Sequence, residues 1–212
     1  MREEIPPLAG LRNPLDYHKA RRVMTIDQTP RVSLISLGRE HEATFQNLIQ
    51  LYTHDFSEFW ADTPKGDVQT NGRFADYPLS DFLERPGSSA NLILIGSTIA
   101  GFSLVNDSSR ISEAVGANVA EFFVLRKFRG QGVGKSAARA MFSSWPGSWE
   151  VAVASRNQAA KRFWNRVIHS SPEARNVQEV DAQTERWTGP VFRFEWLAGG
   201  SSELGPSCRS ED

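Results

Sequence analysis

Cysteine is nearly missing from this chain: one in 212 residues, Cys208, near the end. That excludes a disulfide framework and a cysteine-rich metal site. With only four histidines structural zinc is disfavoured as well, and no metal is expected. An excess of charge is also missing. The 24 Lys+Arg against 25 Asp+Glu leave a formal net charge of −1, which argues against a broad nucleic-acid surface. No apolar run approaches the ~20 residues that a membrane span requires, and residues 1–7 lack the apolar core of a secretory leader. These absences lead to the expectation of a soluble, cytoplasmic protein without nucleic-acid or membrane partners. What is present is ordinary for a folded core: 40% hydrophobic and 23% charged residues.

The chain divides into three expected parts. Residues 1–31 form an N-terminal extension with Pro6, Pro7, Pro14 and Pro30 and no sustained period. Residues 32–197 form one domain, and 198–212 a polar, Gly/Ser-rich tail with little to bury. Inside the domain the patterning alternates. A β-rich run over 32–37 precedes a helical stripe over 43–60, then a polar loop over 62–77. Leu92–Ile95 and Ile99–Val105 flank Gly96-Ser97-Thr98 as a hairpin, and Val119–Leu125 reads as a further strand. Helices are predicted over 132–142 and 157–168, a strand over 149–153, and a closing pair over 177–180 and 191–196. The order β, α, irregular, ββ, β, α, β, α, ββ suits an α/β fold, a mixed sheet covered by helices on both faces.

Chemistry concentrates where the 119–125 strand meets the next helix, in Val124-Leu125-Arg126-Lys127-Phe128-Arg129-Gly130-Gln131-Gly132-Val133-Gly134-Lys135. Three glycines leave the backbone bare, a helix N-terminus adds partial positive charge, and four cations ring the loop. This combination favours a polyanion such as a pyrophosphate. A plain strand–helix turn needs glycines but not the cations. A P-loop, G-x-x-x-x-G-K-[ST], fails by register: Gly134-Lys135-Ser136 supplies its end, yet its first glycine falls on Arg129. A dinucleotide fingerprint is readable at Gly132, Gly134 and Ala137, but that motif opens a large doubly wound unit, whereas here several strands precede it.

Arg-x-x-Gly-x-Gly after a strand fits. Residues 124–134 resemble the coenzyme-A signature of the GNAT superfamily of N-acetyltransferases, and Asn157-x-x-Ala160-x-x-Phe163-Trp164 resembles a second element of that family. The resemblance covers roughly 32–196. It implies a central, mixed but mostly antiparallel sheet and transfer of an acetyl group from acetyl-CoA directly to an amine of a small molecule or protein. By the same resemblance, Phe122, Phe123 and Val124 would bind the pantetheine arm and thioester carbonyl. Gly130, Gln131, Gly132, Val133, Gly134 and Lys135 would wrap the pyrophosphate, with charge from Arg129 and Lys135. Asn157 would bind the pantetheine, serve as a helix N-cap, or do both.

Removing a proton from the acceptor amine calls for a carboxylate beside the thioester. Glu121 is the only acidic residue on its strand, which makes it the candidate base; an outward-facing sheet position is its alternative. Asp55, Glu58, Asp76 and Tyr77 fall in segments that correspond to the family's acceptor region, and a helix surface or an ordinary loop explains them equally well. Trp164 stands where the family often has a tyrosine that protonates the departing thiolate, and indole cannot act as that acid. Core packing explains Trp164 better. A catalytically weak acyl-CoA-binding or sensing module is the alternative function, and an exposed edge of the last strands leaves a homodimer open.

Overall fold

The computed structural model describes residues 31–60, 63–64, 66–112 and 115–198. The expected extension up to residue 30, the tail from residue 199 and Cys208 lie outside the described residues. Seven strands form one sheet in the order β1-β2-β3-β4-β5-β7-β6. They span Val32–Ser36 (β1), Ser89–Ile95 (β2), Thr98–Asn106 (β3), Ala117–Val124 (β4), Gly147–Ala152 (β5), Ala174–Gln183 (β6) and Thr188–Trp196 (β7). Only β4 and β5 run parallel, because a helix connects them; every other pairing is antiparallel.

Helices cover both faces. Glu42–Ser57 (α1) and the short Ser80–Leu83 (α2) lie on one side, where Phe45, Leu48, Ile49, Tyr52 and Phe82 pack on Leu92, Phe102, Leu104 and Phe123. Val133–Ser144 (α3) and Gln158–His169 (α4) lie on the other. There Phe142 stands 4.8 Å from Trp149, 5.1 Å from Phe194 and 5.0 Å from Trp196, ring centre to ring centre. Each such buried aromatic contributes on the order of 2–3 kcal/mol by burial, so this cluster anchors the β5–β7 half of the sheet to its helices.

The structure departs from the sequence reading at weakly patterned places. α2 falls past the expected 62–77 loop, in a stretch to which the sequence reading assigns no element, since four residues beside Pro78 show no period. α1 ends at Ser57 rather than 60. β6 runs well beyond the expected 177–180, because this edge strand is mostly exposed and polar and carries little hydrophobic signal.

Candidate active site

β4 pairs with β5 through Ala117 opposite Trp149 and Asn118 opposite Glu150. Beyond these residues the strands part, and a cleft of about 930 Å³ opens between them. β4 is irregular at the split. On β3, Leu104 and Val105 are neighbours; on β4 their partners are Glu121 and Val119. Ala120 is therefore an extra residue, a β-bulge. Simple alternation would put Glu121 on the same face as Val119, which packs with α3 and α4. The bulge turns it to the α1 face instead.

There Glu121 accepts a hydrogen bond from the Tyr52 hydroxyl of α1 and a second, at 3.1 Å, from Tyr77. Burial, followed by the Glu121 charge, pushes the Tyr52 phenol well above its ordinary value, and Arg110 opposes the rise. Tyr77 is raised by the same causes in the same order. Both tyrosines thus stay protonated and donate. Tyr77 lies behind Glu121, against a smaller cavity lined by Pro78, Asp81, Arg85 and Ser88 rather than in the cleft. Asp76 is exposed and pairs with Arg73.

The glycine loop closes the other end. A one-turn helix over Arg126–Phe128 leads to Gly130 (φ 75°) and Gly132 (φ 80°), left-handed conformations that favour glycine. The space a side chain would take at either position is open. Gly132 caps α3 without a side-chain hydrogen bond. Ser136 donates to the Gly132 carbonyl at 3.0 Å, while among the described residues no acceptor meets the N–H groups of Gly130 through Lys135. The result is a row of free donors at a helix N-terminus. Phe122 and Val124 line the cleft on β4, as do Phe123 and Lys135, whereas the Val133 side chain is buried and can offer only its backbone.

Asp55 stands on α1 and pairs with the arginines of this loop. Its carboxylate accepts from Arg126 Nε at 2.9 Å and from an Arg129 Nη at 2.6 Å. Burial would raise this carboxyl, but the two arginines outweigh it and hold it below its ordinary value. Arg129 also donates to the Val124 carbonyl at 2.7 Å and lies over the Phe123 ring. Its guanidinium is thus tied to the end of β4. Glu58 lines the α1 wall of the cleft.

Asn157 caps α4: its Oδ1 accepts from Ala160 N at 2.9 Å, and among the described residues Nδ2 has no partner. The residue also lines the cleft. Trp164 is 6% exposed and packs on Phe122, Phe142 and Phe163.

Sequence reasoning misses Tyr52, whose position on the apolar stripe of α1 hides its hydroxyl. It also misses Arg110, Arg186 and Trp187 at the far end of the cleft, which stand in polar loops with no period to mark them. Among the described residues no cluster of potential metal ligands occurs and no helix is long and apolar enough to cross a membrane.

No protein-family model and no curated protein matches this chain. Solved structures do. An acetyltransferase from Thermus thermophilus is 12% identical, with 77% of this chain and 94% of that chain covered and a TM-score of 0.54. A GNAT-family protein from Bacteroides thetaiotaomicron is 14% identical, over 81% of this chain and 90% of that chain, with a TM-score of 0.50. The PaiA N-acetyltransferase from Thermoplasma acidophilum, solved with coenzyme A, is 11% identical, over 78% of this chain and 99% of that chain, also at 0.50. The chain has the GNAT acetyltransferase fold, the mixed sheet with helices on both faces that the resemblance implied.

Proposed function

We propose that this protein is an N-acetyltransferase that takes the acetyl group of acetyl-CoA and passes it directly to an amine. One observation carries the reading: the free amides of Gly130 through Lys135 stand at one end of a cleft whose floor holds Glu121. A polyanion at the loop and a reacting carbonyl beside β4 would then occupy one continuous space. The residues present fit the coenzyme, since open glycines, a bare helix N-terminus and Lys135 suit a pyrophosphate. The diverging strand offers backbone donors at Phe122 to Val124 to the pantetheine and carbonyl, and Asn157 Nδ2 offers one more. Acetyl-CoA, when bound, supplies the activated acyl carbon as a thioester. Donors aimed at its carbonyl would stabilise the charge that develops during transfer.

Glu121 is the base in this reading. It takes the proton that the acceptor nitrogen loses as the new N–C bond forms and the C–S bond breaks, directly or through one water. Tyr52 and Tyr77 fix its orientation. Trp164 cannot protonate the sulfur, but a thiol titrates near ~8.5 and its thiolate leaves without that help. Asp55 holds the loop arginines, and Glu58 remains to face the acceptor.

Thermal unfolding with acetyl-CoA, and with NAD and ATP as controls, tests the reading. Ligand at ~100 times its Kd stabilises by roughly 2.7 kcal/mol, which raises the midpoint by about 5–10 °C. Glu121→Gln should keep that shift and lose roughly 10²–10⁴-fold in transfer. No shift with acetyl-CoA would overturn the proposal, and a shift without transfer to any amine would replace it with a sensing module.

A further inference from the structure

Among the described residues, Arg110, Arg166 and Arg186 are the arginines that line the cleft without pairing with a carboxylate. Arg85, Arg126, Arg129 and Arg139 each pair with a carboxylate. Arg110 lines the cleft, yet among the described residues no carboxylate lies within ion-pair distance of its guanidinium. Its position is nonetheless built. Its backbone N–H donates to Glu150 Oε1 at 2.5 Å, and the neighbouring Ser109 hydroxyl donates to Oε2 at 2.7 Å. Glu150 is fully buried, where a carboxylate must be paired and hydrogen-bonded; Arg193 Nε stands 4.0 Å from Oε2, and the hydrogen bonds from this loop complete its partners. In turn they fix the loop that presents Arg110.

The other side of the backbone is held as well. The Arg110 carbonyl lies 3.3 Å from Thr184 Oγ1 and shares that hydroxyl's one proton with the Trp187 carbonyl at 3.2 Å, while the hydroxyl oxygen accepts from Trp187 N at 3.0 Å. The Arg110 guanidinium then lies over the Trp187 ring, 5.5 Å from its centre. Anchored backbone and stacked side chain leave the planar fork of donors pre-oriented, the state in which an arginine binds a carboxylate best. The Trp187 indole N–H, covered and without an acceptor among the described residues, is a second donor in this corner. Glu121 lines the same cleft, and the positive charge of Arg110 opposes the upward shift of the two tyrosine hydroxyls that donate to it.

We propose that Arg110 selects the acceptor: the amine this site takes carries a carboxylate, as a free amino acid does, and the Arg110 guanidinium receives that carboxylate while the amine lies at Glu121. The inference rests on the N-acetyltransferase reading and narrows it. A simple amine would meet the positive charge of Arg110 with only Glu121 to offset it, and would leave the guanidinium without a partner. An amino acid brings the opposite charge to the arginine and its nitrogen to the base. A carboxylate suits a single stacked guanidinium, because two parallel N–H donors match its two oxygens.

Matched pairs that differ only in the carboxylate test this. Release of free coenzyme-A thiol is measured with phenylalanine against phenethylamine and lysine against cadaverine, with phosphoethanolamine against ethanolamine as the phosphate arm. The expected result is kcat/KM at least tenfold higher for the carboxylate-bearing member of the first two pairs and no such preference in the third. Arg110→Gln should bring that ratio close to one, mainly through KM, and Arg110→Lys should retain part of it. Each variant is checked for an unchanged acetyl-CoA unfolding shift, which separates loss of selection from loss of fold. A ratio near one in the wild type, a preference for the simple amines, or a ratio that survives Arg110→Gln overturns the inference, as does failure to acetylate any carboxylate-bearing amine. If the acetyl-CoA shift is present in these cases, the inference falls alone; if it is absent, the N-acetyltransferase reading falls first.

Discussion

Two phenols from different segments converge on the Glu121 carboxylate, and that convergence fixes what each can do. Tyr52 comes from α1 and Tyr77 from the segment before α2, and both donate to Glu121. Burial, and after it the Glu121 charge, raises both phenols. Below pH ~10, the unfolded value, folded and unfolded chains both carry these protons and the pair's contribution to stability is complete. As pH climbs past ~10 the unfolded chain ionises first, so stability is lost progressively toward the raised folded values. Absorbance at 295 nm checks this. Of the three tyrosines in the chain, at most one should ionise between pH 9 and 11 while circular dichroism remains native. Three phenols titrating together near pH 10 in the folded protein would contradict the geometry. Glu121 itself is legible in the sequence, as the lone acid on a strong strand. Tyr52 is not, because a tyrosine on a helical stripe buries its ring whether or not its hydroxyl has work to do. Tyr77 stands out as a candidate for the acceptor side, yet the fold places it behind Glu121, against the smaller cavity.

Among the elements, helix and strand order is readable because the period of the apolar residues changes with each one. The irregularities that aim the site are not. β3 is apolar on both faces, with every residue from Ala100 to Val105 except Gly101 and Ser103 in the apolar core. No inside–outside alternation therefore exists to reveal a slipped register, and the extra residues at Ala120 and Ala100 leave no trace in the pattern. Gly101 is the one visible mark. A Cβ there would collide with the Phe123 carbonyl oxygen and lie 3.0 Å from Val124 Cα. Backbone cannot move aside as a flexible side chain can, so β4 would be driven from β3 at the residues that line the cleft. Gly101→Ala should cost about 2–3 kcal/mol, lowering the unfolding midpoint by roughly 5–10 °C. It should weaken acetyl-CoA binding as well. An alanine variant with unchanged midpoint and affinity would show that the two strands have room to spare. Nor does the sequence show β7 inserting between β5 and β6, since the polar edge strand β6 carries too little pattern to place it.

At the scale of the molecule, β1–β4 and β5–β7 are two blocks of sheet that meet through two residue pairs and then part. The gap leaves one edge of β4 facing space rather than a strand, and the hydrogen-bonding groups on that edge are available only because the sheet fails to close. In the proposed function that unfinished edge is the binding surface, and a bound coenzyme would complete the ladder where β5 does not. Hydrogen exchange makes this measurable residue by residue. Without ligand, the amides of residues 119–124 that point into the cleft should exchange quickly, while those bonded to β3 stay protected. Acetyl-CoA should slow the cleft-facing set, together with the amides of Gly130 through Lys135, and leave the β3-bonded set unchanged. Protection confined to the glycine loop would mean that the coenzyme is held by its phosphates alone and that its acyl end does not lie along β4. In that case Glu121 would stand beside no thioester, and the cleft would bind the coenzyme without the geometry to use it.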